Sequence, residues 1–235
     1  MRAAIIQPSY IPWRGYFDII ASSDAFVFLD DVQYTPRDWR NRNRIKTHQG
    51  AHWLTVPVLS PHRQRIRDVR IDESTAWRRK HLQSIRQAYA AAPFFKPCFS
   101  EFSALLQEKE DSLSALDIRL TRWLMHKLAI QTPILLSSDM APRGTRTARL
   151  IDIVQKLGAD TYLSGPSAAA YLDVEQFRRH HIQLEFKTYG YAPYPQLHGA
   201  FVPDVSVLDL LFNTGPQAKN HLRSLTPHRK VNTLT

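Results

Sequence analysis

The opening of the chain confines it to a narrow set of folds. Ala3–Ile6 is a short apolar run broken by Gln7-Pro8, and Tyr16–Ser22 carries Phe17, Ile19 and Ile20 at helical spacing. Ala25–Leu29 is a second apolar run, closed by Asp30-Asp31. A strand, helix and strand of this length pair in parallel through a right-handed crossover. The same alternation recurs further on. Trp53–Val58 reads as an apolar strand, placed near an edge because Pro57 has no N–H for a ladder. Helices are expected over 75–89, with a basic face of Arg78, Arg79, Lys80 and Arg86, and over 98–110 and 114–129. Ile134–Ser137 reads as a strand, and Ala148–Leu157 as a helix stopped by Gly158. Thr161–Ser164 is a strand running into Gly165-Pro166-Ser167, Ile182–Phe186 another strand, and Ser206–Phe212 a last amphipathic helix. The expected fold class is therefore α/β with a mostly parallel sheet, one domain over 1–235, and residues 75–130 an inserted helical subdomain.

Composition narrows the partners. The 235 residues carry 31 Lys and Arg against 21 Asp and Glu, a formal charge of +10. The excess is uneven: residues 1–90 hold 15 basic and 8 acidic side chains, and the remainder 16 and 13. The densest block is Arg37-Asp38-Trp39-Arg40-Asn41-Arg42-Asn43-Arg44-Ile45-Lys46. Such a field attracts nucleotides, sugar nucleotides, tRNA or an anionic surface, and the preference for Arg over Lys suits bidentate phosphate or carboxylate recognition. A solvated basic face accounts for the same letters. No apolar stretch approaches the roughly 20 residues of a bilayer span. The N-terminus does not read as a signal peptide and Cys98 is the single cysteine, so the expected compartment is the cytoplasm.

Ligands of open parallel sheets bind beyond the carboxyl ends of the strands. Three such ends carry unusual polar residues. The first is Gln7–Tyr16, where Pro8 and Pro12 stiffen the loop, Gly15 admits a close approach, and Arg14 adds charge to a helix N-terminus. Gln7, Trp13, Arg14, Gly15 and Tyr16 are the candidate ligand contacts there, with Tyr10 a candidate catalytic group. The second end is Asp30-Asp31-Val32-Gln33, leading into Arg40, Asn41, Arg42, Asn43 and Arg44. Its adjacent carboxylates suit orienting an amine, holding Mg²⁺ or acting as a base, and equally suit pairing with the arginines. Asp30, Asp31 and Gln33 are taken as catalytic candidates. The third end is Ser164-Gly165-Pro166-Ser167, a phosphate cradle or a capped helix start, giving Ser164, Gly165 and Ser167 as binding candidates. The three ends are expected to converge on one pocket. No H-E-x-x-H, G-x-G-x-x-G, G-x-x-x-x-G-K or G-x-S-x-G motif occurs, and no protein metal site is expected. Cys98, beside Phe94, Phe95 and Phe99, reads as packing.

Several of these segments resemble one family. Gln7-Pro8-x-Tyr10-x-Pro12-Trp13-x-Gly15-Tyr16-Phe17, Asp30-Asp31-x-Gln33, Trp39 to Lys46, Tyr162 to Ser167 with Tyr171-Leu172-Asp173, and Ser206 to Asn213 are similar to the WbqC-like proteins. That resemblance implies a role in O-antigen or other surface-polysaccharide biosynthesis. A more distant resemblance is to the pantothenate synthetases, whose H-x-G-H motif falls on Trp13-Arg14-Gly15-Tyr16 and whose F-V-N-P-x-Q-F segment falls on Phe28–Tyr34. It implies a Rossmann-like nucleotidyltransferase-type (HUP) sheet, ATP with Mg²⁺ as cofactor, and an acyl-adenylate that goes on to an amide. Both motif histidines are replaced here by Trp13 and Tyr16, which donate hydrogen bonds but supply no cation. Arg14, Arg37 or Arg40, Arg42 and Arg44 are the expected substitutes.

The function expected from these readings is an amide-forming ligase or aminoacyl-type transferase, joining a carboxylate such as an amino acid to an amine. Its ligands would be small molecules with a nucleotide or other phosphate-bearing group, or a tRNA as activated donor. Two other classes stand beside it: a nucleotidyl or sugar-nucleotide enzyme without amide formation, and a non-catalytic nucleotide or polyanion binder.

Overall fold

The computed structural model describes residues 1–59 and 63–231. Its centre is a six-stranded sheet made of β1 (Arg2–Ile6), β2 (Ala25–Phe28), β5 (Ile134–Leu136), β6 (Thr161–Ser164), β7 (Gln183–Phe186) and β8 (Arg229–Lys230), in the order β5-β2-β1-β6-β7-β8. All neighbours are parallel except β8, which runs antiparallel to β7. β1 and β2 pair in the middle with Ala3 opposite Ala25 and Ile6 opposite Phe28, as the opening of the sequence requires. The chain moves outward from β1 to β2 and β5, then crosses back to β6 on the other side of β1. That reversal gives the sheet its Rossmann-like order and opens a crevice beyond the carboxyl ends of β1 and β6.

The central strands β1 and β2 are buried on both faces, which is why they read as continuous apolar runs. Alternate residues serve different cores. Ala3, Ile5 and Val27 join Leu150, Ile153, Val154 and Phe177 on one side, from α6 (Arg146–Lys156) and α7 (Val174–Arg179). Ala4, Phe26 and Phe28 join Phe17, Ile20, Leu120, Leu124 and Phe212 on the other. These come from α1 (Arg14–Ala21), α4 (Leu113–Lys127) and α8 (Val207–Thr214). α2 (Trp77–Tyr89) and α3 (Phe95–Gln107) complete that larger core, so residues 75–130 are three helices as expected. A single turn, α5 (Ser137–Met140), follows β5. Gly158 ends α6 with φ +66°, a left-handed value that other residues adopt only at a cost.

One expectation fails in an informative way. The Trp53–Val58 strand is not part of the main sheet. β4 runs over Gly50–Thr55 and pairs only with β3 (Arg42–Thr47), as a separate antiparallel ribbon. The basic block is thus largely a strand. Its inward residues Asn43 and Ile45 are buried, and the amide of Asn43 donates to the carbonyls of Tyr10 (3.1 Å) and Ile11 (3.0 Å). An inward asparagine satisfied by a loop 33 residues away hides the period-2 pattern from a reading of hydropathy.

Candidate functional site

A cleft of about 1150 Å³ lies at the crevice between β1 and β6. Gln7 enters from the end of β1, Leu29 and Val32 from the end of β2, and Ser164 to Ala168 from the end of β6. The three strand ends therefore do meet at one pocket. Trp13 and Tyr16 line it on the α1 side, Tyr189 packing edge-on against Trp13 at 4.8 Å between ring centres, and Tyr162 and Tyr171 line it as well. Positive charge comes from Arg40, Arg146 and Arg149, and Asp204 is the one acidic lining residue among those described.

Within the first loop, Tyr16 and Trp13 are placed by packing. The Tyr16 hydroxyl donates to the Gln7 carbonyl at 3.0 Å, holding the loop against α1. Gln7 keeps its side-chain oxygen buried with no partner in the protein, at the cleft wall. Gly15 does not serve a ligand approach. A Cβ there would lie 2.3 Å from the Trp13 ring, so its missing side chain makes room for the indole that lines the cleft. Arg14 also departs from expectation. It turns away from the cleft and is buried at 2% exposure, stacked 4.5 Å from the Tyr191 ring centre and 5.2 Å from that of Tyr194. It donates to the Ala192 carbonyl at 3.0 Å, and burial lowers its pKa. Side chains on a helix's first turn point to different faces, and Arg14 sits on the face opposite the cleft.

The catalytic candidates are likewise built into the frame. Tyr10 is fully buried, its hydroxyl 2.9 Å from His81 Nδ1 and its pKa raised by burial. His81 is pushed down to about 4 by burial and stays neutral. The Asp30 carboxylate accepts hydrogen bonds from Ser138 N (3.0 Å) and Ser138 Oγ (2.7 Å), so it caps α5. Asp31 pairs with Arg149 and accepts from Ser137 Oγ at 2.6 Å, whose one O–H lies between the two carboxylates. Gln33 is exposed and bridges to Arg65 in the backbone. None of these four lines the cleft. A carboxylate pair after a buried strand was ambiguous between a base and an ion pair, and the structure has the ion pair.

The basic block divides between three surroundings. Arg40 and Asn43 line the cleft, with Arg40 donating to Asp38 at 2.8 Å. Asn41 is buried and donates to the Val56 carbonyl at 2.9 Å. Arg42 and Arg44 lie on the outer face of the ribbon, Arg44 paired with Asp204. Ser164, Gly165 and Ser167 line the cleft as expected, though the segment after them is a short 3₁₀ turn, Pro166–Ala170.

Arg146 and Arg149 were missed from the sequence, and a signal existed. They occupy the first turn of α6, where the helix dipole disfavours cations and the helix itself has no acidic residue; Asp31 pairs with Arg149 from the end of β2. Cations in that position, with free N–H groups behind them, gather positive potential at the cleft. An i, i+4 histidine pair, His48 and His52, also occurs, but in the β3–β4 turn and strand rather than on a helix face. Among the described residues no group of three or more His, Cys, Asp or Glu side chains is placed to hold a metal ion.

Behind the Tyr16 and Arg40 side of the cleft lies a buried carboxyl. Asp117 of α4 is 0% exposed, and neither oxygen has a hydrogen-bond partner in the protein. Thr121 Oγ1 and the Tyr34 hydroxyl are unpartnered as well. Burial holds the Asp117 pKa well above the ordinary carboxylate range, with Arg40 the one cation opposing the shift.

A sequence profile of the WbqC-like protein family matches residues 7–221, which take in every strand of the sheet but β1 and β8 and all of the cleft lining but Ile5 and Ile6. The chain belongs to the WbqC-like protein family. The uncharacterized protein Rv1507c of Mycobacterium tuberculosis is 44% identical over 226 residues, covering 94% of this chain and 97% of the relative. No solved structure matches the chain. No helix among the described residues is long and apolar enough to cross a membrane.

Proposed function

We propose that this WbqC-like protein is a biosynthetic enzyme that joins a carboxylate, such as an amino acid, to an amine acceptor by way of a nucleotide bound in the cleft. The observation that carries the reading is the make-up of the cleft at the sheet's switch point: three arginines, a stack of aromatic walls, and no unpaired base. Family membership suggests a biosynthetic enzyme, and surface-polysaccharide assembly is the context the resemblance implies.

The chemistry follows from what the cleft offers. A carboxylate substrate is already deprotonated at neutral pH, so its attack on a phosphorus atom needs no general base. What it needs is alignment and an offset for charge growing on the leaving group. Arg146 at the start of α6 is the group that supplies that offset, with Arg149 and Arg40, which pair with Asp31 and Asp38, also lining the cleft. In the first step the carboxylate oxygen bonds to the α-phosphorus of ATP and pyrophosphate leaves. In the second the amine attacks the acyl carbon, the C–O bond to AMP breaks, and the amine proton passes to AMP phosphate or water. Trp13, Tyr16 and Tyr171 offer stacking faces for the base, and the cleft volume admits a nucleotide beside a small second substrate. Mg²⁺ would enter on the phosphates, with Asp204 the neighbouring carboxylate.

ATP–pyrophosphate exchange by the full chain, across a panel of amino acids and other carboxylates, tests the proposal. The expected result is exchange that depends on one carboxylate and falls at least tenfold in Arg146→Ala. ATP binding with no exchange and no AMP formed from any carboxylate and amine would overturn it.

A further inference from the structure

Two indoles stand on the surface next to the cleft. Trp39 is 42% exposed and Trp53 is 40% exposed, and their ring centres are 5.4 Å apart with a 36° tilt. Isolated exposed aromatics are ordinary, but a touching pair is not, because packing either inward would remove apolar area from water. The pair is also dressed with charge. The Arg42 guanidinium lies 4.3 Å from the Trp53 ring centre, and that of Arg44 lies 5.4 Å from Trp53 and 5.8 Å from Trp39. Arg44 and Trp53 are directly opposite one another across the β3–β4 ribbon.

The pair joins two cavities. Trp39 lines the main cleft beside Arg40. Trp53 lines a second cleft of about 360 Å³, between β4 and α2, whose other walls include His52, Lys80, Gln83 and Gln87. No carboxylate lines that second cleft, and exposed Arg79 lies beside Lys80 on α2. The surface therefore runs as a track from Arg40 through two touching rings to Lys80; Arg40 and Arg44 pair with Asp38 and Asp204, so the net positive charge along it comes from Arg42 and Lys80.

We propose that this track is a binding site for single-stranded nucleic acid, with bases stacking on Trp39 and Trp53 and phosphates following Arg40, Arg42, Arg44 and Lys80. Two half-exposed indoles in contact, with guanidinium groups lying over them, combine the aromatic surface and the positive charge that an unpaired strand engages, its bases stacking on the outer ring surface rather than between the rings. A neutral glycan would find the amides of Gln83 and Gln87 in the second cleft, but it would leave Lys80 there and Arg42 over Trp53 without an anionic partner. A duplex would not reach, since its bases are stacked on one another and closed to the indoles. The track leads into the main cleft, so a strand lying on it would present its end there.

Fluorescence anisotropy with the full chain and a labelled twelve-nucleotide single-stranded RNA, beside its duplex and a neutral oligosaccharide, tests the assignment. The single strand should bind and quench tryptophan emission. Trp53→Ala should weaken it roughly ten- to hundred-fold, the range seen for loss of one base–aromatic stack, while Trp53→Phe stays near the parent. Arg42→Gln should reduce the slope of log affinity against log salt by about 0.7. Melting curves of the variants control for folding. The assignment is overturned if the duplex binds as tightly, if a folded Trp53→Ala binds like the parent, or if only the oligosaccharide binds. Binding is read without turnover, so failure of pyrophosphate exchange leaves this inference standing.

Discussion

Asp117→Asn should stabilise the protein, by an amount that grows with pH. The carboxyl is wholly buried, with neither oxygen hydrogen-bonded to the protein, and burial holds its pKa well above the 3.8 of a free aspartate. In the unfolded chain the group loses its proton above pH 3.8, whereas the folded chain keeps it. The unfolded state then binds fewer protons, so folding stability falls as pH rises from there until the buried acid itself ionises. Each pH unit in that window costs about 1.4 kcal/mol. Asparagine has nearly the same shape and cannot ionise, so it removes the loss. Below pH 4 the two proteins should differ little. Above pH 4 the gap should widen in favour of the variant by about 1.4 kcal/mol per pH unit for as long as the buried acid keeps its proton. For a chain of this size each unit is about 3–6 °C in Tm. Urea or thermal unfolding of both proteins at half-unit steps from pH 4 to 7 measures it. A gap that does not change with pH would mean that Arg40 holds Asp117 ionised in the fold. A variant less stable than the parent throughout would refute the reasoning outright.

Gly15→Ala should cost about 1–3 kcal/mol through overpacking, because the new Cβ meets the Trp13 ring at 2.3 Å. Nucleotide binding should weaken with it, since Trp13 lines the cleft; parental Tm together with parental affinity would contradict this packing role. Asp30→Ala should lower stability by about 1–3 kcal/mol, through loss of the two hydrogen bonds from Ser138 that cap α5. Denaturant unfolding reads that loss, and unchanged stability with turnover abolished would return Asp30 to the catalytic group.

Much of the site was legible as segments and much less as side chains. Gln7, Trp13 and Tyr16, Arg40 and Asn43, and Ser164 to Ser167 were named because polar or aromatic residues follow strands, and the fold carries strand ends to the crevice. Arg14, Tyr10, Asp30 and Asp31 share those segments but face the other way or are taken by partners far off in sequence. Asp30 is capped onto Ser138, more than 100 residues later, and Asp31 is claimed by Arg149. Such pairings depend on which helix packs where.

What the sequence determined by itself was the sheet. Ala3–Ile6 and Ala25–Phe28 are apolar on both faces, short, and joined by one helix, and these local facts leave parallel central strands as the arrangement that buries them. Hydrophobic burial depends on composition and period, both of which are written in the local sequence. The tertiary structure alone decided which polar groups remain free. It turned Arg14 inward onto Tyr191 and Tyr194, brought Arg146 and Arg149 to the cleft, and set Trp39 beside Trp53 on an outer ribbon. A charged or hydrogen-bonding group is satisfied by whatever lies within about 3 Å of it. That neighbour is fixed by the meeting of distant elements, so no window of sequence contains it.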